Sequence, residues 1–201
     1  MQTTLEFVPV QEQHVEQIVD IYNYYVLHTT VSFHTEPLTL DEMRAQLFDL
    51  PAHYCSYAII EHAGERDTDE QPVAGASDSL NESVIRANDS GILVGYILLT
   101  RHKAKQAYDT TAEITIYLKP EQAGKGIGSR ALVFIEQAAQ QHGFHVLVAT
   151  VCADNTSSIR LFERYGYEKC AHFREVGRKF DQWLDIVSYQ KLIGRREGVD
   201  G

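Results

Sequence analysis

Along the chain, apolar positions recur by turns at a spacing of two, as on a strand with one buried face, and of three to four, as on a helix. "LEFVPV" at 5–10 predicts a first strand. Val15, Ile18, Val19, Tyr22 and Val26 then mark an amphipathic helix. "TLDE" at 39–42 has the form of a capping box and predicts a second helix, with Leu40, Met43, Leu47 and Leu50 as its apolar stripe. Two apolar strands follow, "YCSYAIIEH" at 54–62 and "GILVGYILLT" at 91–100. "AEITIYL" at 112–118 alternates, with Ile114, Ile116 and Leu118 on one face and Glu113, Thr115 and Tyr117 on the other. Past a glycine-studded turn, Leu132, Ile135, Ala138, Ala139 and His142 predict a helix that Gly143 stops. "FHVLVATV" at 144–151 reads as a strand covered on both faces. "NTSSIRLFERYGY" is a polar start, a short helix and a Gly166 stop, and "WLDIVSYQKLI" is a last strand. Strands alternating with helices in this way predict a mixed α/β sheet.

Between the second and third strands lies a polar, acidic stretch at about 63–90, far longer than a compact domain needs for one connection. Its composition predicts an extended, mobile insertion that the fold does not require. The 201 residues fit one domain. We take it as 1–193, with 194–201 as a C-terminal tail.

Composition narrows the function classes. No apolar run approaches the ~20 residues of a membrane span. The start, "MQTTLEFVPV", has neither the basic nor the apolar segment of a secretion signal. Cys55, Cys152 and Cys170 are widely separated and odd in number, which fits buried thiols in a reducing, cytoplasmic setting. A net charge of −10 argues against nucleic acid or an anionic membrane as a partner. No metal site is expected: His142 and His145 are three apart, but Gly143 breaks the helix that would align them.

The stretch "LKPEQAGKGIGSRAL" at 118–132 carries the first chemical signal. Gly124, Gly126 and Gly128 leave the backbone unshielded where a helix begins, and the first N–H groups of a helix lack internal partners. Such a turn is either an ordinary start of a helix or an anion cradle. A nucleotide P-loop is excluded, because Lys125 precedes the second glycine instead of following the last. A dinucleotide turn fits poorly, since position 148, where an acidic residue is required, is Val148.

The order of strand, Pro120, "GKGIGS", helix, apolar strand and Asn155-x-x-Ser158 resembles the GNAT superfamily of acyl-CoA-dependent N-acetyltransferases. That resemblance implies a central, mostly antiparallel twisted sheet with helices on both faces and a splayed strand pair that holds acyl-CoA. It implies pantetheine pairing by the backbone of Ile116, Tyr117 and Leu118. The pyrophosphate of coenzyme A falls to Gly124, Lys125, Gly126, Ile127, Gly128 and Ser129, with Asn155 and Ser158 at the pantetheine arm. The family's usual Gln or Arg before the turn falls at Ala123, beside Gln122.

Longer segments, "IYNYYVLHTTVSFHTEPLT", "KAKQAYDTTAEITIYL" and "GRKFDQWLDIVSYQ", are similar to the phosphinothricin acetyltransferase branch, which includes acetylators of methionine sulfoximine and methionine sulfone. The similarity runs from about residue 5 to 193, the acidic insertion excepted. It implies acetyl-CoA as co-substrate, a small-molecule amine as acceptor and a homodimer. It places the acceptor among Phe33, Lys103, Ala104, Lys105, Tyr108, Glu113, Ile114 and Thr115, the basic pair being the branch's carboxylate or phosphinate contact. Phe33, Tyr108, Phe180 and Trp183 wall such a pocket or belong to the core.

Acyl transfer to an amine requires that the amine be neutral, so a base must take its proton near pH 7. Glu113 is the candidate base. It sits mid-strand, where β-branched or apolar residues are usual, and partial burial strengthens a carboxylate as a base. The matching glutamate of the branch has that proposed role. No activated cysteine or serine constellation points to an acyl-enzyme, so direct attack in a ternary complex is expected. At the position where family members carry a Tyr or His to protonate the thiolate, this chain has Phe162, which donates nothing. Two alternatives therefore stay open: an acetyltransferase of another amine (a polyamine, a protein N-terminus or a xenobiotic), and an acyl-CoA-binding module without catalysis.

Overall fold

The computed structural model describes residues 3–63 and 91–194. Apart from residues 63 and 194, the expected insertion and tail lie outside the described residues. One sheet holds the strands β1 (Thr4–Pro9), β2 (Cys55–His62), β3 (Ile92–Arg101), β4 (Thr111–Leu118), β5 (Val146–Cys152), β6 (Glu168–Lys179) and β7 (Gln182–Leu192). Their order is β1-β2-β3-β4-β5-β7-β6, and every neighbouring pair is antiparallel except β4–β5. The helices are α1 (Val15–His28), α2 (Leu40–Phe48), α3 (Ile127–Gln141) and α4 (Thr156–Arg164). The mixed, mostly antiparallel α/β fold is the one the sequence predicts.

Helices cover both faces. On one, Val15, Ile18, Val19, Tyr22 and Val26 of α1 and Met43 and Leu47 of α2 bury against Ala58, Leu93, Tyr96 and Leu98. On the other, Ile127, Ala131, Leu132, Ile135 and Ala139 of α3 pack on Val94, Ile97, Leu99, Ala112, Ile114, Leu147 and Ala149. Each large apolar side chain so buried contributes roughly 1.5–3 kcal/mol, so this central layer holds the sheet rigid beneath the site.

Local chemistry sets the helix ends. Thr39 Oγ1 accepts from the Glu42 amide at 3.3 Å while Glu42 Oε2 accepts from the Thr39 amide at 2.8 Å, closing the predicted capping box. Gly143 and Gly166 take φ of +83° and +79° and end α3 and α4. Two predicted stripe members lie elsewhere. Leu40 is exposed at the first turn of α2, and Leu50 falls beyond its end. His142 caps α3 from an exposed position instead of joining its apolar face.

β6 carries no signal in the sequence pattern. Nearly all of "EKCAHFREVGRK" is exposed, its pairing to β7 is interrupted twice, and it lies at the sheet edge, so nothing imposes alternation. Charged side chains along such an edge discourage pairing with another chain.

β4 and β5 pair only over Thr111–Val146, Ala112–Leu147 and Glu113–Val148. Beyond that point both strands continue without pairing, β4 to Leu118 and β5 to Cys152. The gap between them is the splayed pair that the resemblance implies.

Candidate active site

Because β4 and β5 are parallel and each leads into a helix, the N-termini of α3 and α4 lie at the same end of the sheet, where the strands have separated. The turn before α3 is built from Gly124 (φ +78°) and Gly126 (φ +80°, the N-cap). A Cβ at either would meet nothing within 4 Å, so the backbone faces open space. Among the described residues no acceptor takes the amides of Gly124 to Ser129. Unpaired amides at a helix N-terminus carry partial positive charge and suit an anion. Gly128 is different: a Cβ there would lie 3.5 Å from Leu161 of α4 and 3.9 Å from Leu118, so its smallness brings the two helices and the end of β4 together.

The side chains near the turn are partly engaged. Lys125 Nζ donates to Gln122 Oε1 at 2.9 Å, so the buried Gln122 beside the family's usual Gln or Arg position ties down the turn's one cation. Asn155 Oδ1 accepts from the Ser158 amide at 3.2 Å and caps α4, which leaves the other end of its side-chain amide to donate.

The free edge of β4 follows from its ladder with β3. The Lys119 amide donates to the Val94 carbonyl at 2.8 Å. Antiparallel pairs alternate, so Tyr117 and Thr115 also direct their polar groups at β3, whereas Ile116 and Leu118 direct theirs into the gap. The Leu118 carbonyl is already taken by Tyr25 Oη at 2.7 Å. The gap is therefore lined by the Ile116 amide and carbonyl and the Leu118 amide, and Tyr117 contributes its ring to the opposite side of the sheet.

On that side a cavity of about 440 Å³ lies between the sheet and α1–α2, lined by Tyr22, Gln46, Asp49, Leu50, Tyr96, Leu98, Thr100, Thr115 and Tyr117 among others. The Tyr117 ring stacks with Tyr96 and meets Tyr22 edge-on. Desolvation raises the pKa of all three phenols, so the floor is neutral and hydroxyl-bearing. Glu113 is on this face. It pairs with Thr100, two pairs beyond Leu98–Thr115, and is the last β4 residue paired with β5, so it stands at the root of the gap. Its carboxylate is 29% exposed and lies 3.4 Å from His102 Nδ1.

The remaining predicted residues are scattered around this centre. Thr115 lines the cavity, while the Ile114 side chain is buried on the opposite, α3 face. Lys103, Ala104, Lys105 and Tyr108 occupy the exposed β3–β4 loop, with Lys103 Nζ 5.3 Å over the Tyr108 ring. Phe33 packs over Gly177 of β6, where a Cβ would clash with its ring. Phe180 and Trp183 are exposed at the β6–β7 turn and do not touch the cavity. Phe162 is core, edge-on to Tyr167 at 5.1 Å.

The sequence pattern gives no site signal for His102 or Asp49 and marks Tyr22 only as a member of the α1 stripe. His102 was detectable: hairpin register places it on the Glu113 face once Thr100 is set opposite Glu113. Tyr22 comes from α1 and Asp49 from the C-cap of α2, and no local pattern ties them to β4.

A model of the acetyltransferase (GNAT) family matches residues 20–167. Phosphinothricin N-acetyltransferase of Streptomyces coelicolor is 29% identical over 92% of this chain and 94% of its own length. The L-methionine sulfoximine/L-methionine sulfone acetyltransferase of Salmonella typhimurium is 27% identical over 91% of each. The structure of a phosphinothricin acetyltransferase from Sinorhizobium meliloti, solved in complex with AcCoA, has the same fold. Its TM-score is 0.77 at 24% identity, covering 100% of this chain and 92% of that one.

Proposed function

The chain belongs to the acetyltransferase (GNAT) family and is an N-acetyltransferase dependent on acetyl-CoA; on that premise we propose that it acetylates the α-amine of a small amino-acid-like molecule of the phosphinothricin or methionine sulfoximine/sulfone type. One observation carries the reading: the strands part at Glu113, and the unpaired amides of Gly124–Ser129 stand at the open end of the same gap.

Acetyl-CoA supplies the acetyl group as an activated thioester. The amides from Gly124 to Ser129 hold its diphosphate, and Ile116 and Leu118 offer β4's free edge to the pantetheine, as a neighbouring strand would. Asn155 donates to the same arm from the N-terminus of α4. Glu113 removes a proton from the acceptor's ammonium, and the freed amine attacks directly. Holding both reactants in one gap supplies several kcal/mol of the barrier reduction, up to roughly 7–11 with ideal alignment. Lys103 and Lys105 of the β3–β4 loop meet the acceptor's carboxylate or phosphinate as point charges. A cytoplasmic location and a homodimer belong to this reading, and the exposed Phe173, Val176, Phe180 and Trp183 of the β6–β7 hairpin offer apolar surface to a second copy.

Thiol release from acetyl-CoA, measured with methionine sulfone, methionine sulfoximine, phosphinothricin and a panel of other amines, tests the proposal. Release with none of the first three overturns the substrate class. A second reading, another amine as acceptor, is favoured by the cavity lining, which carries Asp49 and no lysine or arginine among the described residues. Release confined to neutral or cationic amines supports it.

A further inference from the structure

His102 follows β3 by one residue and, two positions beyond Thr100, lies on the same face as Glu113. Its Nδ1 is 3.4 Å from Glu113 Oε2, and among the described residues no other side chain hydrogen-bonds or ion-pairs with that carboxylate. The imidazole is mostly enclosed but reaches solvent, with 23% of its side chain exposed. Its other neighbours come from its own loop. The Tyr108 ring stands edge-on at 6.1 Å, Lys103 lies over the far ring, and the Arg101–Asp109 ion pair closes the loop at 3.1 Å. A base that turns over must discharge each proton it takes. Phe162, buried in the core, offers no second proton-carrying group.

We propose that His102 is a positioning residue acting through Glu113: it holds the carboxylate towards the gap and drains the captured proton to water. The inference rests on the reading of Glu113 as the base. The acceptor's ammonium gives one proton to the Glu113 carboxylate, which becomes a carboxylic acid. The amine nitrogen forms its bond to the acetyl carbonyl carbon, the C–S bond breaks, and the electron pair leaves on sulfur. The nitrogen's second proton ends on that sulfur as the thiol. Glu113 passes its proton to His102 Nδ1, the imidazolium gives one proton to solvent, and exchange with water returns the neutral ring to the tautomer whose Nδ1 is free to accept again. One proton per turnover reaches water, and Glu113 is restored as carboxylate.

The test uses the full-length enzyme with His102→Gln, His102→Gly and Glu113→Gln. Both His102 variants should lose about tenfold in kcat, a fraction of what a full acid–base residue contributes. KM for acetyl-CoA and its calorimetric Kd should not move. Added imidazole should restore His102→Gly in proportion to its concentration and leave wild type and His102→Gln unchanged. Wild-type kcat in both variants overturns the proposal, as does a loss in His102→Gly that imidazole does not relieve. Glu113→Gln separates the two readings. Full turnover in that variant defeats the base assignment itself, whereas strong loss there beside wild-type His102 variants defeats only the relay.

Discussion

Glu113 and Val148 form the last backbone pair between β4 and β5, and the Glu113 carboxylate stands where the two strands part. On the proposed reading, a thioester held along the free edge of β4 is thereby delivered beside Glu113. Replacing Glu113 by Gln keeps the size and polarity of the side chain and removes its basicity. We expect kcat to fall by roughly 10²–10⁴ with acetyl-CoA affinity nearly unchanged. Steady-state turnover at neutral pH and calorimetry read the two quantities, and unchanged turnover rules the assignment out.

Gly126 is the N-cap of α3 with φ +80°, and a side chain there would project into the turn's open space. Gly126→Val places a β-branched residue in the left-handed region, at a cost of at least about 1–2 kcal/mol, and crowds the amides. The strain should lower Tm, and the crowding of the amides should weaken the Kd for coenzyme A by about tenfold, a loss of about 1.4 kcal/mol. An unchanged Kd would show that the turn does not hold the diphosphate.

Glu61 of β2 pairs with Ile92 of β3, so the ends of the two strands are already adjacent. Two to five residues suffice to join antiparallel neighbours. Deleting residues 66–88 should therefore leave a protein whose Tm and acetyl-CoA affinity match the full chain. A deletion variant that fails to fold would establish a structural role for that segment.

Asp185 of β7 accepts from the Glu175 amide at 2.8 Å and from His172 Nε2 at 2.7 Å, holding an interruption of β6 where Glu175 takes φ +53°. The Glu175 amide first, and His172 second, hold the carboxyl below the usual aspartate range. A depressed carboxyl stabilises the fold above its unfolded pKa, about 3.9, and that contribution disappears as pH falls through the lower folded value. Asp185→Asn should thus unfold in less urea than wild type at pH 7, with the difference shrinking below about pH 4. A difference that persists undiminished at pH 2–3 would contradict this account.

Much of the scaffold was legible because its signals are local. The α1 stripe, the Thr39–Glu42 box and the Gly143 and Gly166 stops each involve residues a few positions apart, and all fold as read. β6 was silent because an exposed edge strand has no buried face to impose alternation. The four-residue stripe of α2 was half right, since Asp49 ends the helix before Leu50.

The sequence by itself determined where most strands and helices lie, β6 excepted, that a glycine turn with open amides precedes one helix, and that a carboxylate sits mid-strand just before it. These follow from backbone conformational limits and periodic burial, which act within a few residues. Only the tertiary structure decided that β4 and β5 part at Glu113, that His102 reaches its carboxylate, and that Phe162 belongs to the core. It also turned Phe180 and Trp183 to solvent and placed Asp49 of α2's end at the cavity. Those outcomes depend on which strands become neighbours and how far their ladders run, a choice made by packing across segments distant in the chain.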